Sequence, residues 1–464
     1  VKRVVIVGGG IAGLTTAFYL NKAISENQLD VEVKLLEASD RFGGKINTIK
    51  KSGFTIERGP DSFLIRKPSA ERLARHVGLG EKLVKNGTGK SYVLKGDKLY
   101  PMPQGSFMGI PIDLEAFFAS DLLSDEGKAR VKQELTMEKS EPMADQSLGK
   151  FFKRHFGEEL VENLIEPLLS GIYAGDLDEL SLMATFPNFY QLEQKYGSLI
   201  KGLQDTLPPS NPNAKKESKF FSIEGGLEAL VNAITSAIQP EILKKNVAVE
   251  HIEYTQDGYR LNVTNGEVYE ADAVLFATPY NVTKTLLAPY LSLPGEMKAT
   301  SVANVAMAFD LDQIKDELDG TGFVVSRNSD YRITACTWTH KKWPETTVPE
   351  NKALLRCYVG RPGDEEIIHY SDEELEEFVL NDLNKVMKIE GKPLFSVVSR
   401  WEDGMPQYSI GHQEFVGELE EQLATKLPGV FVAGSSYRGI GIPDCIDQGE
   451  VATDKLLDYI QNKV

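Results

Sequence analysis

At 464 residues the chain exceeds what one hydrophobic core ordinarily serves, so two or three domains are expected. A formal charge of −17 speaks against non-specific nucleic-acid binding, and 41% hydrophobic with 26% charged residues describes a globular, enzyme-like chain rather than a disordered or membrane-embedded one. The amino terminus already carries a recognisable pattern. Val4-Val5-Ile6-Val7 is a β-branched run of strand length, and it leads into Gly8-Gly9-Gly10-Ile11-Ala12-Gly13 and an apolar helix-forming stretch over residues 14–23. A buried strand turning tightly into a helix is the setting in which G-x-G-x-x-G acquires meaning. Gly8 permits the turn, Gly10 lets the backbone approach a pyrophosphate, and Gly13 allows helix and strand to pack closely. Phosphates would rest on the N–H groups around Gly9, Ile11 and Ala12, at the positive end of the helix.

Residues 31–36 form a second apolar strand that ends at Glu37, placed with Ala38 to meet the ribose of an adenosine. Arg41, Gly43, Gly44 and Lys45 follow, where a chain folding back over the cofactor would reach its diphosphate. Gly53-Phe-Thr-Ile-Glu57-Arg-Gly59-Pro60-Asp61-Ser62 then reads as a strand ending in a sharp turn, at the carboxyl end where doubly wound sheets hold ligands. Arg66-Lys67 places two adjacent cations just beyond it, suited to ligand carboxylates or simply to solvent.

Residues 90–103 alternate like a strand pair. From 111 to about 207 the apolar residues recur at three- and four-residue spacing, as in the face Leu160, Val161, Leu164, Ile165, Leu168 and Leu169, so helices are expected. Residues 207–219 have a loop's composition. Gly225-Gly226 and an amphipathic helix precede three strands joined at Asp257-Gly258 and Asn265-Gly266, both strong hairpin signals. Residues 273–277 form another buried strand. Strands over 301–309, 322–326, 331–339 and 353–360 suggest an antiparallel sheet, whose last member places Arg356 and Tyr358 on one face by its period of two. Residues 371–387 form an acidic amphipathic helix. Pro428-Gly-Val-Phe-Val-Ala-Gly434 is a final apolar strand, followed by a glycine-rich passage and a helix over 444–460.

The spacing E-x-x-x-R-x-G-G from Glu37 to Gly44 resembles the flavoprotein superfamily that contains amine oxidases, phytoene desaturases and protoporphyrinogen oxidases. Longer strings are more specific: Glu57-Arg-Gly-Pro-Asp-Ser-Phe63, Ile165-Glu-Pro-Leu-Leu-Ser-Gly-Ile-Tyr-Ala-Gly175, Ser181-Leu-Met-Ala-Thr-Phe-Pro187, Met405-Pro-Gln-Tyr408 and Gly439-Ile-Gly-Ile-Pro-Asp-Cys-Ile-Asp-Gln-Gly449. They are similar to the porphyrinogen oxidases of haem synthesis, in particular the soluble type of Gram-positive bacteria that acts on coproporphyrinogen III. The resemblance covers nearly the whole chain.

It implies an α/β fold with an interleaved Rossmann-like FAD-binding domain (1–77, 218–288 and 396–464), an antiparallel-sheet substrate domain (78–110 and 289–395) and a helical subdomain (111–217). Non-covalent FAD is implied, since no cysteine precedes the final strand where some amine oxidases attach flavin. The implied cofactor contacts include Gly59, Pro60, Asp61 and Ser62 beside the flavin ring, Val249 at the adenine, and Trp401, Gly434, Gly441, Ile442 and Pro443 towards the flavin. Ser435 stands where the family usually carries an acidic residue. Gly441 stands where amine oxidases place an aromatic of their substrate cage. Lys67 and Arg356 are the implied carboxylate-recognition residues and Tyr358 a packing surface for a pyrrole, with no obligatory catalytic acid or base. The implied reaction is six-electron oxidation of a porphyrinogen, with oxygen as acceptor and peroxide formed. Coproporphyrinogen III, protoporphyrinogen IX, and an amine or polyene substrate of the wider superfamily remain open. Transient contact with the next haem-pathway enzyme and peripheral membrane contact are further expectations.

Cys336, Cys357 and Cys445 are widely spaced without C-x-x-C, which suits a reducing, cytoplasmic setting, and the six histidines form no metal motif. The sequence begins at a strand with no signal peptide, so secretion is not expected. No apolar run reaches the roughly 18 residues of a spanning helix.

Overall fold

Lys2–Val7 has its last four residues buried, as a central parallel strand covered on both faces requires. The computed structural model describes residues 1–87, 90–207, 218–293, 295–315, 319–344 and 346–462. Lys2–Val7 lies in the middle of a five-stranded parallel sheet, in the order Leu243–Lys244, Val31–Leu36, Lys2–Val7, Ala273–Phe276, Val430–Val432. Alternation divides its side chains between two cores. Val4 and Ile6 join Leu35 and Leu275 beneath the helices Ile11–Asn27 and Ile442–Asn462. Val5 and Val7 join Val274 and Phe276 on the other face, with Ile252, Leu261 and Val263 of a three-stranded antiparallel sheet. The turns of that sheet are the expected ones, with Gly258 at φ +132 and Gly266 at φ +83.

This sheet belongs to one compact unit made of residues 1–85, 219–297 and 413–464; residues 86–218 and 298–412 form a second. Residues 208–217, most of the loop expected at 207–219, lie outside the described residues.

One expectation needs correction in the first unit. The strand before Gly59-Pro60 is the short Phe54–Glu57, which pairs antiparallel with Thr48–Lys51 and does not enter the parallel sheet. Ser52 and Gly53, at φ +51 and +83, close the two strands as a tight hairpin. The turn at Gly59 therefore follows a hairpin, not a strand of the doubly wound sheet.

The second unit is built on a seven-stranded sheet in the order Phe395–Pro406, Ala299–Asp310, Lys352–Val359, Ile333–Trp338, Gly322–Val325, Tyr92–Lys95, Lys98–Pro101. All neighbours are antiparallel except Gly322–Val325 and Tyr92–Lys95. The helix Asp372–Met387, opened by a capping box between Ser371 and Glu374, covers one face through Leu375, Val379 and Leu383. Phe395–Pro406, placed by the sequence reading in the segment starting at 396, pairs along Ala299–Asp310 in this unit. The helical residues also belong to this unit. Their aromatic and leucine stripe, including Phe151, Phe152, Phe156, Leu164 and Leu169, is buried core. Among the described residues no helix is long and apolar enough to cross a membrane.

A charged knot ties those helices together. His155, Glu134, Glu193 and Ser198 are all fully buried. Nδ1 of His155 lies 2.9 Å from Glu134 and Nε2 lies 3.3 Å from Glu193, while Arg154 and Ser140 donate to Glu193. Ser198 and the backbone N–H of Ile200 donate to Glu134. Burial by itself would raise the Glu193 carboxyl, but hydrogen bonds from His155 and Arg154 outweigh it and hold the group at about 2. Removing one member of a buried ionic cluster strands the others without water, which costs about 3–5 kcal/mol. Glu193→Gln is therefore expected to lower stability by about 3 kcal/mol or more. Because the folded pKa is depressed, the contribution is complete above the ordinary 4.5 and disappears as pH falls toward about 2. Denaturant melts of both proteins across that window check it; curves that stay parallel and nearly superimposed would refute the role.

Candidate functional site

The first helix starts close against the turn that precedes it. A Cβ on Gly13 would lie 2.0 Å from the Gly8 carbonyl oxygen, and one on Gly8, at φ +109, would lie 2.6 Å from that of Ala277. Gly8 N–H donates to Leu36 (2.8 Å), which joins the glycine turn to the end of the second strand. Glu37 then reaches back: Oε2 accepts from Gly9 N–H at 2.7 Å and Oε1 from the N–H and hydroxyl of Ser39 at 2.8 and 2.7 Å. Asn246 and Val247 donate backbone N–H groups to Ser39 and Glu37, both at 2.9 Å, so the strand beginning at Val249 starts beside Glu37.

The glycine pair folds over the turn as expected. Gly43 N–H donates to Gly9 (2.8 Å), and Gly10 and Gly43 form an isolated parallel bridge. Arg41 sits differently from expectation. Its guanidinium donates to the carbonyls of Phe42 and Ile46, both at 3.0 Å, and to that of Gly44. It clamps the loop that carries Gly43, Gly44 and Lys45.

A third wall comes from the carboxyl end. Ala433 N–H donates to Phe276 (3.1 Å), and Gly434, at φ +124, donates to the side chain of Gln448 at 3.2 Å. Gly441 N–H donates to Asp444 (3.2 Å) and the Gly441 carbonyl accepts from Cys445 N–H (2.9 Å), placing Ile442 and Pro443 in the first turn of the last helix. That helix lies against the first through Gly449, where a Cβ would meet the Ala12 carbonyl at 2.7 Å and Thr16 donates to the Gly449 carbonyl at 3.0 Å. Near Gly59, Pro60 and Asp61, the Ser62 hydroxyl donates to Asp61 at 2.7 Å.

The residues fit a phosphate-bearing cofactor. Gly10 precedes the first helix with no side chain capping the free N–H groups, and a Cβ on Gly10 or Gly434 would meet no protein atom within 4 Å. Both therefore border open space, whereas Gly8 and Gly13 face packed backbone.

The sequence profile described as flavin containing amine oxidoreductase matches residues 11–457. The chain belongs to that family. It is 49% identical over 464 residues to the coproporphyrinogen III oxidase of Bacillus subtilis (strain 168), covering 99% of this chain and 98% of that protein. It is 40% identical to the coproporphyrinogen III oxidase of Staphylococcus aureus, covering 98% of this chain and 99% of that protein. A crystal structure described as a protoporphyrinogen oxidase, from Exiguobacterium sp. 255-15, shares 38% identity and covers 99% of both chains with a TM-score of 0.88. A putrescine oxidase variant at 15% identity superimposes with a TM-score of 0.72 and shares the fold.

For a member of the flavin-containing amine oxidoreductase family, the cations near this cradle matter. Lys45 is half-buried and burial lowers its ammonium pKa, with Cys445 acting in the opposite sense. Cys445 is pushed up to about 12 by burial and by Asp444, against Lys45 and Lys67. Lys45, Lys67, Asp444 and Cys445 thus share one electrostatic neighbourhood at the start of the last helix. Lys67 forms an ion pair with Asp444. It therefore has a partner within the protein, which two adjacent cations in the sequence did not reveal. Arg356, Tyr358 and Trp401 lie in the second unit. Arg356 is fully buried, its guanidinium 5.6 Å from the Tyr358 ring centre, as alternation required. Trp401 is opposite Val302, beside a register shift between Thr300 and Val302. Ser39, Asp444, Gln448 and Gly449 escaped the sequence reading. Only Gly449 carried a local signal, as a glycine inside a helix.

The glycine geometry makes a paired prediction. Gly10→Ala should leave the apo-protein's melting temperature unchanged and weaken flavin binding at least tenfold, because the added methyl enters the open space. Gly13→Ala should cost about 1–3 kcal/mol of stability through overpacking. Thermal melts with and without flavin, together with flavin-fluorescence titration, separate the two. Equal destabilisation by both would contradict the assignment.

Proposed function

We propose that this chain oxidises coproporphyrinogen III to coproporphyrin III in haem biosynthesis, with non-covalently bound FAD and with oxygen as final acceptor, forming peroxide. The observation that carries the proposal is the full-length similarity, 49% identity, to a protein named for that reaction, together with a glycine cradle that fits a dinucleotide. The first unit is the proposed FAD-binding part and the second the proposed substrate-binding part. When bound, FAD supplies a two-electron acceptor, used three times per macrocycle. The protein's contribution is to hold, orient and recognise. Gly10 and the first-turn N–H groups take the diphosphate, and Glu37, already fixed by Gly9 and Ser39, takes the ribose. Arg356 is the proposed carboxylate reader of the second unit, and Tyr358 the surface for a pyrrole. Lys67, tied to Asp444 in the first unit, is a second proposed carboxylate-recognition residue. The proposed setting is the cytoplasm, with the porphyrin product passed on by transient contact with the next enzyme.

The name carried by the Exiguobacterium structure favours protoporphyrinogen IX as a second reading. The substrates differ in carboxylate number, four against two, and anaerobic mixing of the flavin-loaded protein with each decides between them. Bleaching of the flavin absorbance should be faster with coproporphyrinogen III. Faster bleaching by protoporphyrinogen IX would favour the second reading, and no bleaching by either would reject both.

Lys67→Met is expected to raise KM for the tetracarboxylate about tenfold, and by less for the dicarboxylate, which corresponds to about 1.4 kcal/mol of lost recognition. Equal changes in steady-state KM for both would confine Lys67 to its tie with Asp444.

A further inference from the structure

Cys336 and Cys357 stand directly opposite one another on the neighbouring antiparallel strands Ile333–Trp338 and Lys352–Val359. Opposed residues of this kind share a face of the sheet, with Cα atoms about 4.5–5.5 Å apart. A disulfide spans Cα separations of about 4.4–6.8 Å, so the backbone already holds the two residues within bonding range. The two thiols also interact electrostatically, and both are free. Phe323 lies opposite Cys336 on its other side and Val305 opposite Cys357, so the pair sits mid-sheet in the apolar core. Their exposures are 2% and 0%.

We propose that Cys336 and Cys357 form a modification site at which a peroxide converts the dithiol into a cross-strand disulfide. The peroxide O–O bond breaks as one sulfur takes an oxygen, giving a sulfenic acid and releasing water. The second sulfur then displaces that oxygen as a second water, forming the S–S bond. Two thiols lose two electrons and both protons, one peroxide is reduced, and two waters leave. Geometry selects this product over higher oxidation because the resolving thiol stands directly opposite on the neighbouring strand. Burial, reinforced by Cys336 and then by Asp382, raises the Cys357 thiol, so that thiol rests protonated and reacts slowly. Cys445 provides an internal control. It is also buried, though less completely, and its sulfur faces the Gly439 carbonyl at 3.8 Å and no second cysteine. The inference does not rest on the proposed substrate; that reaction would supply a peroxide, as would any other source.

The experiment exposes the folded, flavin-loaded full chain to hydrogen peroxide, unfolds it in an alkylating reagent, and maps the peptides by mass spectrometry. Alkylation should drop from three cysteines to Cys445 alone, with a Cys336–Cys357 cross-linked peptide that dithiothreitol opens. Cys445→Ala should behave as the parent, while Cys336→Ala and Cys357→Ala should give no such cross-link. The parent's own peptide map decides the matter even if a variant folds poorly. Three alkylated cysteines after exposure, or sulfinate at either position without cross-linking, would overturn the proposal.

Discussion

The first unit depends on how closely its first helix approaches the turn before it. The Gly13 Cα sits where any side-chain carbon would overlap the Gly8 carbonyl, and this closeness aims the helix amino terminus at the space beside Gly10. The Gly9 N–H is held by Glu37, so the glycine turn and the carboxylate at the end of the second strand are one hydrogen-bonded object. The final helix, resting on the first through Gly449, brings Gly441, Ile442 and Pro443 to the same region from the far end of the chain. Three segments widely separated in sequence thereby meet through glycine contacts, which leave room for backbone and for little else.

The second unit uses a different device. Its sheet buries Cys357, Val359 and Leu355 against a capped helix on one face, leaving Arg356 and Tyr358 on the other. Its helices are joined by a buried ionic knot around His155, not by apolar contact alone. Such a cluster adds little net stability over apolar packing, but it tolerates only one arrangement of its members. The long, buried polar contacts around Glu134 and Glu193 accordingly specify how four helical segments meet.

Much of this was legible in the residues. The strand–turn–helix at the amino terminus, the hairpins at Asp257-Gly258 and Asn265-Gly266, and the side-by-side placement of Arg356 and Tyr358 all follow from local rules of period and turn chemistry. The strings that resemble porphyrinogen oxidases agree with the family to which the chain belongs and with its relatives in Bacillus and Staphylococcus. The strand before Gly59 misled because four buried residues of strand composition look the same in a hairpin as in a parallel sheet. Phe395–Pro406 was assigned to its sequence neighbours because nothing local records a partner a hundred residues away.

By itself the sequence determined the parallel and antiparallel character of the two main sheets and which residues line up on a strand face, since each is written in spacing of a few residues. The cofactor class came through strings that resemble a known family. Only the tertiary structure decided that Arg41 holds its own loop, that Lys67 is paired with Asp444, and that Cys336 meets Cys357. Those pairings depend on where a side chain finds an opposite charge, an acceptor or a strand partner across the fold. Such proximity is a property of the packed chain, and residue spacing does not encode it.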